Sequence, residues 1–255
     1  MLVKLNNVWA KYDKEIVLED VNLTINEGDY IGVIGPNGGG KTTLIKLILG
    51  VKSAFKGTIE YGNPCSDARP CVTTRYPNIG YLPQQNNIDK MFPINIEDVV
   101  YSGLITEGAT SNFRVQKKLS QENFEHLLNK MNLYDIRKKA LGTLSGGQIQ
   151  KTLLCRALIS KPDLLLLDEP NTYIDKESEF ELYNYLIKES GIKALLLVSH
   201  DLGTISSYIK TIACVNKTLV YHDSNVITED IIHSYNCPIQ LISHGEIPHS
   251  VLKKH

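Results

Sequence analysis

Apolar and polar residues alternate at the start of the chain, in Leu2-Val3-Lys4-Leu5-Asn6-Asn7-Val8 and again in Val21-Asn22-Leu23-Thr24-Ile25. A period of two turns one side of the chain to a core and the other to water, which predicts strands here and a short piece at Val17-Leu18. Asn26-Glu27-Gly28-Asp29 has turn composition, and the apolar run Tyr30-Ile31-Gly32-Val33-Ile34 that follows it reads as another strand. Residues 41–49 read as a helix stopped by Gly50, a residue suited to a left-handed C-terminal cap. Residues 64–77, rich in Pro, Cys, Asp, Arg and Thr, read as an irregular loop, and Ile79-Gly80-Tyr81-Leu82 as a short strand ending at Pro83. From about 96 to 158 the pattern is mainly helical, with helices over 97–104, 119–131 and 145–159. The last of these has Leu153, Leu154, Ala157 and Leu158 on one face.

Two later runs do not alternate at all: Leu164-Leu165-Leu166-Leu167 and Ala194-Leu195-Leu196-Leu197-Val198. Unbroken apolar strands are covered on both faces, as in a parallel sheet between helices. Residues 177–188 are the crossover helix that joins them. The fold class expected is α/β: a phosphate-loop core with a mostly parallel sheet covered by helices, antiparallel strands at the N-terminus, and an inserted helical subdomain. We read one domain over 1–255, with that subdomain at about 86–160 and a histidine-containing tail at about 216–255.

The chemistry begins between the strand at Tyr30 and the helix at Lys41, with Gly35-Pro36-Asn37-Gly38-Gly39-Gly40-Lys41-Thr42-Thr43. Strand, glycine loop, helix is the context in which this pattern binds phosphate. Glycines let the backbone curl so that successive N–H groups point at phosphate oxygens, and the helix adds its positive end. Lys41 supplies a point charge for the β- and γ-phosphates, and the Thr42 hydroxyl can ligand Mg²⁺. The substrate expected is a nucleoside triphosphate.

Three further stretches bear on the same chemistry. Asp168 ends the first all-apolar strand, where α/β sheets bind ligands. It can hold Mg²⁺ through water, and Glu169 beside it can deprotonate an attacking water. Leu144-Ser145-Gly146-Gly147-Gln148 joins a serine, two glycines and a helix start, which makes either a second anion site or a plain capped helix with Ser145 at the cap and Gln148 three residues on. His200 follows the second all-apolar strand and could donate to a γ-phosphate.

Composition adds limits. The 255 residues suffice for one large α/β domain, and a formal net charge of −1 gives no basic field to hold nucleic acid. The five cysteines, Cys65, Cys71, Cys155, Cys214 and Cys237, form no CxxC pair, which fits a reducing compartment better than a disulfide framework or a structural zinc site. Met1-Leu2-Val3-Lys4-Leu5-Asn6 lacks signal-peptide character, and no run approaches the roughly 20 apolar residues of a membrane span. A soluble, cytoplasmic chain is expected.

Gly35 through Thr43, Gln84 after Tyr81-Leu82-Pro83, Leu144 through Gln148, Leu164 through Glu169, and His200, in this order and spacing, resemble the ATP-binding cassette of ABC transporters. The likeness runs from Tyr12 to about Val215, and the Leu144 to Gln148 run is what separates this family from other phosphate-loop proteins. The resemblance implies ATP as substrate with Mg²⁺, Tyr12 stacking on adenine with Trp9 as neighbouring fallback, and Gln84 sensing Mg²⁺ and coupling to a membrane subunit. It implies that Lys41, Glu169 and His200 serve hydrolysis. Ser145 and Gly147 would meet the γ-phosphate bound by a second copy, with Gln148 counted among the nucleotide-binding residues and Asp175 at the dimer seam. Asn171, Thr172-Tyr173-Ile174 and Lys151 depart from the common pattern without removing a catalytic group.

Three features look like the subfamily that imports manganese, zinc or chelated iron: the triple glycine, Ile88-Asp89-Lys90-Met91-Phe92-Pro93-Ile94 ahead of Glu97-Asp98-Val99-Val100, and the tail from Cys237 to His249. The partners implied are a homodimer of this subunit, integral membrane permease subunits and an extracytoplasmic metal-binding protein, with the chain peripheral on the inner face of the membrane. Met91-Phe92-Pro93-Ile94 is either core or a docking surface for the permease. Five of seven histidines, His222, His233, His244, His249 and His255, fall in the last 34 residues. Their spacing matches no ligand pattern, so a solvated tail is expected there. Other readings are the ATPase of another ABC transporter class, such as iron–siderophore uptake, a soluble ABC protein, which usually pairs two cassettes or carries coiled coils, and a GTPase or small-molecule kinase, for which no Asn-Lys-x-Asp run is present.

Overall fold

In the computed structural model, residues 1–62, 76–84, 92–104, 117, 120–170, 176–199, 207–224, 239–243 and 248–252 are described. The elements run β1 (Val3–Tyr12), β2 (Glu15–Ile25), β3 (Tyr30–Ile34), α1 (Lys41–Ile48), β4 (Lys56–Tyr61), β5 (Ile79–Leu82), α2 (Ile96–Ser102), α3 (Gln121–Lys130) and α4 (Gly146–Leu158). Then come β6 (Leu164–Asp168), α5 (Lys176–Lys188), β7 (Ala194–Val198), β8 (Thr211–Asn216), β9 (Thr218–His222), β10 (Ile239–Ser243) and β11 (Pro248–Leu252). They divide into two compact units, Met1–Pro77 with Lys193–His255, and Asn78–Ile192.

In the first unit β1 lies between β2 and β4, antiparallel to both. The alternation at the N-terminus buries Val3, Leu5, Val8 and Ala10 on one side. Val17-Leu18 and Val21 to Ile25, expected as separate pieces, belong to one strand whose register shifts against β1 absorb the break in alternation. A second sheet pairs β3 in parallel with β7 and with β8, and β9 closes it antiparallel to β8. Ile31, Val33 and all five residues of β7 are fully buried, as two-sided burial requires. Helix α1 buries Leu44, Ile45, Leu47 and Ile48. It ends as expected at Gly50, at φ 71° with its N–H on the Leu47 carbonyl. The Tyr61 hydroxyl donates to the carbonyls of Leu47 and Ile48 at 3.2 and 3.1 Å, satisfying groups the helix end leaves open.

Part of the expected solvated tail is strand. Residues 218–222 pair with β8, and β10 pairs antiparallel with β11. The apolar content of Thr218-Leu219-Val220-Tyr221 is enough to extend the sheet edge.

In the second unit β5 and β6 are parallel, Tyr81 opposite Leu166. Asn78 ties their starts together: its N–H donates to Asp163 Oδ2 at 3.0 Å and its side chain to the Ser160 carbonyl at 2.7 Å. Helices α2, α3 and α4 pack on one another, with Tyr101 stacked on Phe124 at 4.4 Å and Leu127 and Leu128 buried beneath. Each such side chain contributes about 1.5–3 kcal/mol of burial. The helices begin and end within two residues of the expected bounds, the normal scatter of frayed ends. Cys155 and Cys214 are buried thiols, not disulfide sulfurs. Burial pushes the Cys155 thiol up to about 12, which leaves it unreactive.

Candidate functional site

The phosphate loop lies in the first unit, between β3 and α1, and its shape requires glycine. Gly35, Gly38 and Gly40 have φ of 153°, 78° and 105°. A Cβ on Gly35 would overlap the main-chain carbonyl oxygen of Val215 in β8, and one on Gly39 would stand 2.8 Å from the same oxygen. A Cβ on Gly40 would lie 2.5 Å from Leu18 Cδ2. Strand β8 therefore forms one wall of the loop. The Lys217 N–H donates to the Gly39 carbonyl at 3.0 Å, while the Lys217 carbonyl accepts from Glu19 N–H at 2.7 Å. At Gly38 nothing stands within 4 Å of an added Cβ, and Asn37 and Gly38 are exposed. The concave side of the loop is open there while its back is packed.

Lys41 is 7% exposed, and its ammonium donates to the carbonyls of Gly35 and Pro36, each at 2.9 Å. The charge is thus held on the loop itself. Thr42 is exposed at the first turn of α1, Thr43 is buried, and Pro36 accepts from the Gly39 N–H at 3.0 Å. Tyr12, at the end of β1, is 43% exposed, and Trp9 is half-buried.

The acidic residues lie in the second unit. Asp168 closes β6 and is 3% exposed; Glu169 follows in a left-handed conformation, φ 51°. That turn aims consecutive carboxylates differently, and a non-glycine residue adopts it only where the surroundings fix it. The Gln84 side-chain amide donates to Glu169 Oε2 at 2.5 Å, so the structure brings together two residues 85 positions apart. Tyr81 shares a sheet face with Asp168, since its partner Leu166 is two residues earlier. Burial first, and the Asp168 charge second, push the Tyr81 hydroxyl up to about 12, so it stays neutral.

Leu144 through Gln148 form the start of α4. Ser145 Oγ accepts from the Gln148 N–H at 3.3 Å, and Gln148 Oε1 accepts from the Ser145 N–H at 3.0 Å. The capped-helix alternative therefore holds as geometry. It also leaves Ser145 exposed at a helix start whose first-turn amides lack intrahelical acceptors, with Gly147 half-buried beside it.

His200, Asn171, Thr172, Tyr173, Asp175 and Met91 lie outside the described residues, as do His233, His244, His255, Cys65, Cys71 and Cys237. Ser199, just before His200, is buried and donates its N–H to the Val33 carbonyl at 3.2 Å. Phe92 is 59% exposed, which favours the docking alternative over the core one. The wall supplied by Val215 and Lys217 was missed in the sequence, because main-chain atoms carry no residue signature. In the second unit Asp168 and Gln84 offer carboxylate and amide oxygens, and in the first unit Thr42 offers a hydroxyl; each is a hard oxygen donor of the kind that suits Mg²⁺ better than a softer metal. Among the described residues, no group of three or more His, Cys, Asp or Glu side chains could hold a metal ion, and no helix is long and apolar enough to cross a membrane.

The family profile described as ABC transporter matches residues 18–172. The zinc uptake system ATP-binding protein ZurA of Listeria monocytogenes is 34% identical over 227 residues, 88% of this chain and 86% of that protein. The manganese transport system ATP-binding protein MntB of Bacillus subtilis is 40% identical over 209 residues, 81% of this chain and 80% of that protein. A dimeric structure of a bacterial ABC transporter cassette matches the fold with a TM-score of 0.70 at 24% identity, over 89% of this chain and 100% of that one.

Proposed function

This chain belongs to the ABC transporter family, and from that premise we propose that it is the ATP-hydrolysing subunit of an importer for Zn²⁺ or Mn²⁺. Its activity as an ATP-binding cassette ATPase follows from the family, whose uptake-system members work with membrane permease partners. The metal is the proposal's own step. The observation that carries it is identity of 34% and 40%, over more than four fifths of the chain, to subunits named for zinc and manganese transport.

The roles assigned to this chain's residues rest on their chemistry. The amides of Gly35, Asn37, Gly38 and Gly40, with Lys41 and Thr43, bind the β- and γ-phosphates of ATP, in a loop turned by the hydrogen bond from Gly39 to Pro36. Thr42, Asp168 and Gln84 hold Mg²⁺, which when bound neutralises charge on the β- and γ-phosphate oxygens. Glu169 takes a proton from the attacking water, and His200 donates to the γ-phosphate. Tyr12 stacks on the adenine. Ser145, Gly147 and Gln148 bind the γ-phosphate of a nucleotide held by a second copy, so two copies close around two ATP molecules. Phe92 and its neighbours dock a permease at the inner face of the membrane, and an extracytoplasmic metal-binding protein delivers the ion.

The test is uptake by cells from which the chain has been deleted, with radioactive Zn²⁺, Mn²⁺ and chelated Fe³⁺ supplied separately. Loss of energy-dependent Zn²⁺ or Mn²⁺ uptake, restored by the chain but not by its Lys41→Ala variant, is expected. Unchanged uptake of both ions would sink the metal assignment, and loss confined to chelated iron would move the substrate to that class.

A further inference from the structure

The exposed ring of Tyr12 carries a cation. Lys52 Nζ stands 3.8 Å from its centroid, and Lys46 Nζ lies farther off at 5.9 Å. Lys46 sits in the last turn of α1, the helix that begins at the phosphate loop. Lys52 is tied at both ends. Its main-chain N–H donates to the Lys46 carbonyl at 3.1 Å, and its ammonium donates to the Lys11 carbonyl at 2.8 Å. One residue thus joins the far end of α1, through its main chain, to the last two residues of β1, through its side chain. A second set of contacts reinforces the same junction: the Phe55 N–H donates to the Trp9 carbonyl at 2.7 Å, and Lys11 Nζ lies 3.9 Å over the Phe55 ring.

We propose that Lys52 is a positioning residue for recognition of the nucleotide base, acting through Tyr12. Its ammonium clamps the ring by a cation–π contact while its backbone is anchored to α1, so the aromatic platform is held in register with the helix that carries the phosphate loop. A ring fixed beforehand stacks on a base without first being ordered, which raises affinity with no new contact to the ligand. A cation at the ring also draws on the same π density that faces an electron-rich purine. The inference rests on the Tyr12 role proposed above and assigns Lys52 no contact with phosphate.

The experiment measures dissociation constants of Mg·ATP and of inorganic tripolyphosphate, which has no base. It uses the full chain as wild type, Lys52→Met, Lys52→Arg, Tyr12→Ala and the Tyr12→Ala/Lys52→Met pair. Methionine keeps much of the stem and removes the cation; arginine keeps a stacking cation that can still donate to the Lys11 carbonyl. Lys52→Met is expected to weaken ATP binding about 3- to 10-fold, the range of one partly exposed cation–π contact. Lys52→Arg should stay within about twofold of wild type, tripolyphosphate should bind equally well to every variant, and Lys52→Met should add nothing to Tyr12→Ala. If Tyr12→Ala weakens ATP but Lys52→Met does not, the clamp is overturned and the base-stacking role stands. Equal loss of tripolyphosphate in Lys52→Met would overturn the clamp as well, making Lys52 a phosphate or folding residue. ATP affinity unchanged in Tyr12→Ala would remove the stacking role and the clamp together.

Discussion

Two alanine substitutions separate the packed back of the phosphate loop from its open side. At Gly35 the φ is +153° and a new methyl would overlap the Val215 carbonyl. That carbonyl cannot swing aside, because the adjacent Ala213 and Cys214 pair with Val33 and Ile34. At Gly38 the φ is +78° with nothing within 4 Å of the methyl. Alanine forced into the left-handed region costs about 1–2 kcal/mol at either position. Gly35→Ala adds an overpacking term of about 1–3 kcal/mol. At about 2–4 °C per kcal/mol for a chain of this size, Gly35→Ala should melt about 2–12 °C below Gly38→Ala. ATP binding, measured by calorimetry well below both transitions, should order the two the other way. The Gly38 methyl points into the open side of the loop and should remove most of the affinity, whereas refolded Gly35→Ala should retain more. A Gly38→Ala protein that melts lower than Gly35→Ala, or binds ATP like wild type, would refute this division of the loop.

Mixing Lys41→Ala chains with Ser145→Arg chains should give dimers that bind one ATP each, while either variant alone forms no stable closed dimer; ATP hydrolysis at an undiminished, concentration-independent rate by a monomer would rule out composite sites. Phe92→Asp should shift the melting temperature by no more than about 2 °C, as expected at a 59% exposed position, yet abolish co-purification with the membrane partner; a large destabilisation would return Phe92 to the core. The hydroxyls of Tyr81, Tyr101 and Tyr185 are each pushed up to about 12, by burial first. Their folded-state values lie above the unfolded value, so the stability they contribute is complete below pH of about 10 and is lost as the pH rises from there toward about 12. Urea midpoints should fall over that window, and a midpoint constant from about pH 9 to about 11.5 would contradict the assignment.

Local signals carried most of the fold. Strands β6 and β7 were legible because an unbroken apolar run of four or five residues has few other uses, and Ser145 with Gln148 announced a cap that forms with both hydrogen bonds. Strand β4 was not legible, since Lys56-Gly57-Thr58-Ile59-Glu60-Tyr61 is an edge strand without a buried residue and shows no clear alternation. Strand β8 was not legible either: five of the residues Thr211 through Asn216 are apolar or β-branched, but the stretch is short and lacks flanking turn signals. The phosphate loop's glycines could be read as a motif, but the reason for each lies in distant atoms: a carbonyl at Val215 and a methyl on Leu18. Lys52 was equally hidden, because its partners at Lys11, Tyr12 and Lys46 are joined only by the fold.

Steady-state ATP hydrolysis by Glu169→Gln tests the central claim most directly. The substitution keeps the volume of the side chain and its place beside Asp168 but removes the group assigned to deprotonate water. Turnover should fall at least about 100-fold, the lower end of what a general base supplies, with ATP binding intact and an ATP-bound dimer accumulating in size-exclusion chromatography. Turnover within about threefold of wild type, equivalent to about 0.7 kcal/mol in the barrier, would contradict it.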